Sequence, residues 1–159
     1  MGYFSGVTIK TGVPGTFKGA INDAGWLEDH VVAAGHLRQG KAGFLGGFRW
    51  LLPAPSKKLP RHFMLALTAQ EVVAFRVTEV PGQTGSAYDR LKIREGVRFR
   101  YPRESVSLTD LPEGAASDGG TITIEGESFP VMRPNQYGDP NTDELIATLA
   151  RVPAVTWPR

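Results

Sequence analysis

Between Leu91 and Tyr101 the chain alternates more strictly than anywhere else, and this stretch sets the fold class. Leu91, Ile93, Val97, Phe99 and Tyr101 are apolar and odd-numbered, while Lys92, Arg94, Arg98 and Arg100 are basic and even-numbered. A period of two is the signature of a strand with one buried face. Two geometries keep the split. One is a single long strand, bulged at Gly96. The other is a hairpin whose loop is Arg94, Glu95 and Gly96, with Gly in the left-handed position. A tighter turn at Glu95 and Gly96 is rejected, because it sets Ile93 opposite Arg98 on one face. The hairpin sets Lys92 opposite Arg98, an unfavourable like-charge pair, so the single strand is preferred. Either way one face is expected to be apolar and the other basic.

The rest of the chain from residue 62 also reads as strands. Residues 62–67 are a continuous apolar run, fit for a buried strand. Residues 71–80 alternate, with Val73, Phe75 and Val77 on one face and Arg76 and Thr78 on the other. The intervening Thr68, Ala69 and Gln70 make a short hairpin loop. Residues 104–108 form another strand with Val106 and Leu108 inward. Residues 121–125 and 128–133 pair around Gly126, with Ile122, Ile124, Phe129 and Val131 inward. A final helix is expected over 142–151, capped by Asn141 with Glu144 three residues on. Leu145, Ile146 and Leu149 form its apolar face, and Pro153 ends it.

The first 61 residues are less regular. Short strands are expected at 7–10 and 16–18. A helix is expected over 22–38, because Ala24, Leu27, Val31 and Ala34 make one apolar stripe at helical spacing. Residues 39–61 contain Pro53, Pro55 and Pro60, which exclude a continuous helix or a central strand. The same stretch holds Phe44, Leu45, Phe48, Trp50, Leu51 and Leu52. These either lie over the core or dip into a membrane surface between Lys41, Arg49, Lys57 and Lys58.

Composition narrows the chemistry. With no cysteine among 159 residues, disulfides, thiol nucleophiles and thiolate metal sites are excluded. His30, His36 and His62 lack the spacing of a helical zinc site, and no HExxH or Gly-x-Ser-x-Gly motif is present. Glu125 and Glu127 flank a hairpin, and Asp139, Asp143 and Glu144 sit at a helix start, where the helix dipole accounts for them. No enzyme activity, cofactor or metal is expected. The net charge of +2 hides an asymmetry: residues 1–61 carry eight Lys/Arg against three Asp/Glu, and residues 106–159 carry three against eight. No basic leader and no apolar run of membrane-spanning length is seen, so a cytoplasmic location is expected.

The order of elements resembles the bacterial pleckstrin-homology-like family. Three stretches carry the resemblance. Leu65-Ala-Leu-Thr-Ala-Gln-Glu-Val-Val-Ala-Phe75 is similar to its first hairpin, and Tyr101-Pro-Arg-Glu-Ser-Val-Ser-Leu108 to a later strand. Thr121-Ile-Thr-Ile-Glu-Gly-Glu-Ser-Phe129 followed by Leu145, Ile146 and Leu149 is similar to its last hairpin and helix. The resemblance implies a mainly β, α+β fold: a bent antiparallel barrel of about seven strands with a C-terminal capping helix. The core would be residues 62–151, after an N-terminal extension of 1–61 with its own helix, and before a tail of 152–159.

The resemblance also implies a non-catalytic binding or adaptor module. The leading expectation is a protein partner, engaged by an apolar patch or an open sheet edge. The alternative is an anionic membrane surface. Its candidate contacts are Lys57, Lys58 and Arg61, supported by Arg94, Arg98 and Arg100, with Phe44, Phe48 and Trp50 as apolar contacts for membrane or partner. Nucleic acid is not expected, since Phe99 and Tyr101 lie on the face opposite the arginines rather than among them.

Overall fold

The computed structural model describes residues 6–40, 56–80, 90–109, 120–134 and 139–151. They form one antiparallel sheet and two helices. In chain order these are β1 (Gly6–Lys10), α1 (Thr16–Ala24), β2 (Ala33–Gln39), β3 (His62–Leu67), β4 (Glu71–Val80) and β5 (Arg90–Pro102). A single 3-10 turn (Arg103–Ser105) leads to β6 (Val106–Thr109), β7 (Gly120–Ile124), β8 (Glu127–Met132) and α2 (Pro140–Arg151). The eight strands lie in the order β1-β5-β4-β3-β2-β8-β7-β6. The class is therefore α+β with a dominant antiparallel sheet.

Most strand expectations hold because short loops with specific chemistry join the strands. Thr68 ties the β3–β4 turn: its Oγ1 accepts from the amides of Gln70 at 3.2 Å and Glu71 at 3.0 Å. The β7–β8 turn has Glu125 at φ 50° and Gly126 at φ 87°. Positive φ at both central residues is the tight hairpin turn whose twist matches the strands. Ile122, Ile124, Phe129 and Val131 are buried from that hairpin, as are Val106 and Leu108 from β6.

The N-terminal third departs from the sequence reading. The helix lies at Thr16–Ala24, where a short strand was expected at 16–18. Gly25, at φ 69°, ends it by donating its amide to the Asn22 carbonyl at 3.1 Å. The Asn22 side chain then bonds both main-chain groups of Val31, at 2.8 and 3.0 Å. That clamp turns the chain into β2, so the expected helix over 22–38 is a helix end, a loop and a strand. Of the apolar stripe that suggested it, Val31 and Ala34 are buried and Leu27 is partly buried, packing with Phe17 and Ile21 of α1, while Ala24 is exposed.

β2 becomes a strand because neighbours on both sides complete it. It pairs with β3 along its length and with β8 at Arg38 and Gln39. Where β8 has diverged, α2 takes its place, and Thr142 Oγ1 accepts the His36 amide at 3.0 Å. Gly35 allows this approach: a Cβ there would stand 2.8 Å from Thr142 Cα. The segment expected as an N-terminal extension thus supplies a strand to the middle of the sheet.

The sheet buries both faces. One core joins Phe63, Leu65, Val72, Ala74 and the β6–β8 side chains to Leu145, Ile146 and Leu149 of α2. The other joins Met64, Val73, Phe75, Leu91 and Ile93 to α1 and to Trp26 and Leu27. Burying apolar area on two faces roughly doubles what a half-exposed sheet would gain.

The start of α2 locks these layers together. Asp139, rather than the expected Asn141, caps the helix, with its Oδ1 taking the Asn141 amide at 2.9 Å. Pro140 follows at the first helical position, where no amide is needed. Asn141 is freed to serve α1: its Oδ1 accepts the Phe17 amide at 3.2 Å and its Nδ2 donates to the Val13 carbonyl at 2.8 Å. Asp139 Oδ2 takes the Gly12 amide at 2.9 Å.

β5 is one strand, as preferred, but it does not keep one apolar and one basic face. Phe75 pairs with Arg98 and Val77 with Ile93. From residue 75 to 77 on β4, the partner runs from 98 back to 93 on β5. The odd excess of residues re-phases the strand. Leu91 and Ile93 belong to the core beneath α1, whereas Phe99 and Tyr101 pack on the core beneath α2. Arg94, bonded to Thr78, and Arg100, bonded to Glu71, are divided in the same way.

Candidate basic cleft

The irregularity in β5 builds a cleft of about 420 Å³ on the side of Arg76 and Thr78. Three guanidinium-bearing residues line it: Arg61 at the entry to β3, Arg76 of β4 and Arg94 of β5, together with His62 and Thr78. No carboxylate lines it among the described residues. Each arginine is placed by a local contact. Arg94 donates from Nε to Thr78 Oγ1 at 3.3 Å. The Arg76 guanidinium stands over the Phe99 ring, 5.8 Å from its centroid, a cation–π arrangement. Arg61 follows the buried Pro60 and accepts the Gln39 amide on its own carbonyl at 2.8 Å.

Guanidinium groups keep their protons and present several N–H donors in a fixed plane. Such groups lining one cleft can bind an anion, with phosphate and carboxylate as matching ligands. Proton transfer is not their chemistry.

The remaining candidates from the sequence fall elsewhere. Lys58 pairs with Glu125 at 3.2 Å on the β7–β8 turn, and that hydrogen bond raises its pKa above the ordinary lysine value. Arg100 makes a bidentate contact with Glu71, at 3.1 Å and 2.6 Å, and that bond likewise raises its pKa. Arg100 pairs across the ladder with Val73, on the α1 side of the sheet, so it does not join Arg94; Arg98 stands opposite Phe75 in the register, and its side chain lies outside the described residues. Lys57 is exposed beside Lys58. Phe44, Phe48 and Trp50 lie outside the described residues. Of the six basic residues singled out in the sequence, the cleft brings together Arg61 and Arg94.

Arg76 was missed as a site residue because it reads as the polar face of an alternating strand. Only the register that sets it opposite Phe63 and beside the β5 irregularity brings it to the cleft. His36 and His62, far apart in sequence, lie with ring centroids 6.4 Å apart. Burial, with His62 and Arg38 adding like charge, lowers the His36 pKa to about 3. Among the described residues no three His, Cys, Asp or Glu side chains come together as metal ligands, and no helix is long and apolar enough to cross a membrane.

Comparison with known proteins finds no matching family model, no matching curated protein and no matching solved structure.

Proposed function

We propose that this chain is a non-catalytic, pleckstrin-homology-like binding module that docks on an anionic membrane surface through its basic cleft. The observation that carries the reading is the convergence of Arg61, Arg76 and Arg94 on one cleft. The strand order supports the fold half of the proposal. From β5 to β6 it is a seven-strand antiparallel array closed in sequence by a C-terminal helix, with β1 added at the β5 edge. A cytoplasmic location goes with this reading.

Each basic side chain at an anionic surface contributes roughly 1 kcal/mol, so three give weak, salt-sensitive attachment. Flotation with phosphatidylcholine vesicles, with and without phosphatidylglycerol, tests it. Wild type is expected to float only with the anionic vesicles and to be released by high salt. Arg61→Glu/Arg94→Glu is expected to stay at the bottom, whereas Arg100→Glu should float like wild type. Equal flotation of all three proteins would sink the proposal.

A protein partner is the second reading, and β6 favours it. Val106–Thr109 has no charged residue and pairs only with β7 among the described residues. Such an edge accepts an added strand. A pull-down lost on Ser107→Pro but kept by Arg61→Glu/Arg94→Glu would favour it.

A further inference from the structure

We infer that Gln39 is the positioning residue of the basic cleft: its side-chain amide holds the segment that carries Arg61, and so sets the affinity for an anionic surface. The inference rests on the binding reading above. Gln39 does not line the cleft; it acts through the chain that does.

Residues 56–61 lead into β3 and belong to no strand among the described residues, so their peptide groups need other partners. Gln39 provides them. Its Oε1 accepts the Ser56 amide at 2.7 Å. Its Nε2 faces the carbonyls of Ser56 and Leu59, each at 3.0 Å, and of Pro60 at 3.3 Å. Its own backbone amide donates to the Arg61 carbonyl at 2.8 Å. The next residue, Gly40, donates to Pro130 of β8 at 3.0 Å, so the clamp is anchored in the sheet. From the other side the Tyr101 hydroxyl donates to the Lys58 carbonyl at 2.5 Å.

A neutral primary amide suits this place because it carries acceptor and donors on one planar group. A carboxylate would turn an acceptor toward three carbonyls, and an apolar side chain would leave four contacts unmade. With the clamp closed, Arg61 is held at the cleft before the ligand arrives. With it open, binding must first order the segment, which weakens affinity.

The test measures partition onto vesicles of equimolar phosphatidylcholine and phosphatidylglycerol at low salt. The proteins are wild type, Gln39→Met, Arg61→Ala, Arg94→Ala, and the doubles Gln39→Met/Arg61→Ala and Gln39→Met/Arg94→Ala. Each arginine deletion is expected to cost about fivefold. Gln39→Met should lose as much as Arg61→Ala, add nothing to it, and add its full loss to Arg94→Ala. A merely structural role would weaken both arginine backgrounds alike. Tyr101→Phe loosens the same segment from the far side and should show the same dependence on Arg61, which guards against a Gln39 variant that fails to fold. Arginine-dependent binding that Gln39→Met leaves unchanged, or losses additive with Arg61→Ala, would overturn the inference and spare the binding reading. Wild type that ignores the anionic lipid would overturn both.

Discussion

Replacing Gly35 with alanine asks whether α2 is seated on β2 as tightly as the geometry requires. The new Cβ would stand 2.8 Å from Thr142 Cα, 2.9 Å from Leu145 Cδ2 and 3.0 Å from Leu145 Cβ. Leu145 can swing its terminal methyl aside, but Thr142 Cα belongs to the helix backbone. The helix must therefore lift, and it carries the Thr142 hydroxyl away from the His36 amide it now meets at 3.0 Å. Overpacking of this kind costs roughly 1–3 kcal/mol, and a contact against backbone belongs at the upper end. A weakened buried hydrogen bond adds roughly 1 kcal/mol. For a chain of this size each kcal/mol moves Tm by about 2–4 °C, so Gly35→Ala should melt about 8–16 °C below wild type. Gly19→Ala is the control. Its Cβ meets nothing within 4 Å on α1, and removing a helical glycine stabilises by roughly 0.5–1 kcal/mol. Calorimetry or circular-dichroism melts at neutral pH would read both shifts. A Gly35→Ala protein melting within a degree or two of wild type would refute the close seating of α2.

Two further outcomes follow from the buried polar groups. His36 is neutral when folded, with its pKa lowered from 6.5 to about 3. The unfolded chain therefore binds the extra proton, and stability falls as pH drops from about 6.5 toward 3, by at most about 1.4 kcal/mol per pH unit. Urea midpoints from pH 7 to pH 4.5 should decline more steeply for wild type than for His36→Gln; parallel curves would contradict the burial of a neutral imidazole. Asn141→Ala removes the acceptor for Phe17 and the donor to Val13, at a cost of roughly 2–3 kcal/mol. Hydrogen exchange should show the loss concentrated in α1 and β1, and an even loss across the sheet would mean that the α1–α2 joint is not where the energy resides.

How much was legible in the residues varies along the chain. From residue 62 onward, local information sufficed to place the elements, though not the faces of β5. Alternation, the Thr68 turn and Gly126 each act within a few residues, and β3, β4, β6, β7, β8 and α2 lie close to where their patterns place them. The N-terminal third was not legible for a specific reason. Leu27, Val31 and Ala34 have helical spacing and do pack into the core beneath α1, but packing against a sheet face satisfies that spacing as well as a helix does. Whether Ala33–Gln39 is helix or strand depends on hydrogen bonds offered by β3, β8 and Thr142, which the local sequence does not contain.

The basic cleft divides in the same way. Arg61 and Arg94 could be suspected from charge and position, and the acidic partners of Lys58 and Arg100 could not. Glu125 lies 67 residues from Lys58 in sequence. Arg76 and Gln39 were unreadable, since a charge on an alternating strand and an amide at a strand end carry no functional signal by themselves. By itself, then, the sequence determined the β-rich class, the strand and helix boundaries of its second half, and the absence of cysteine chemistry. These depend on side-chain period, turn residues and composition, all of them local. The tertiary structure alone decided which face each half of β5 presents, because one odd irregularity in register inverts every side chain beyond it. That inversion separates Arg94 from Arg100, and with Arg61 and Arg76 it makes a cleft out of residues that the chain keeps apart.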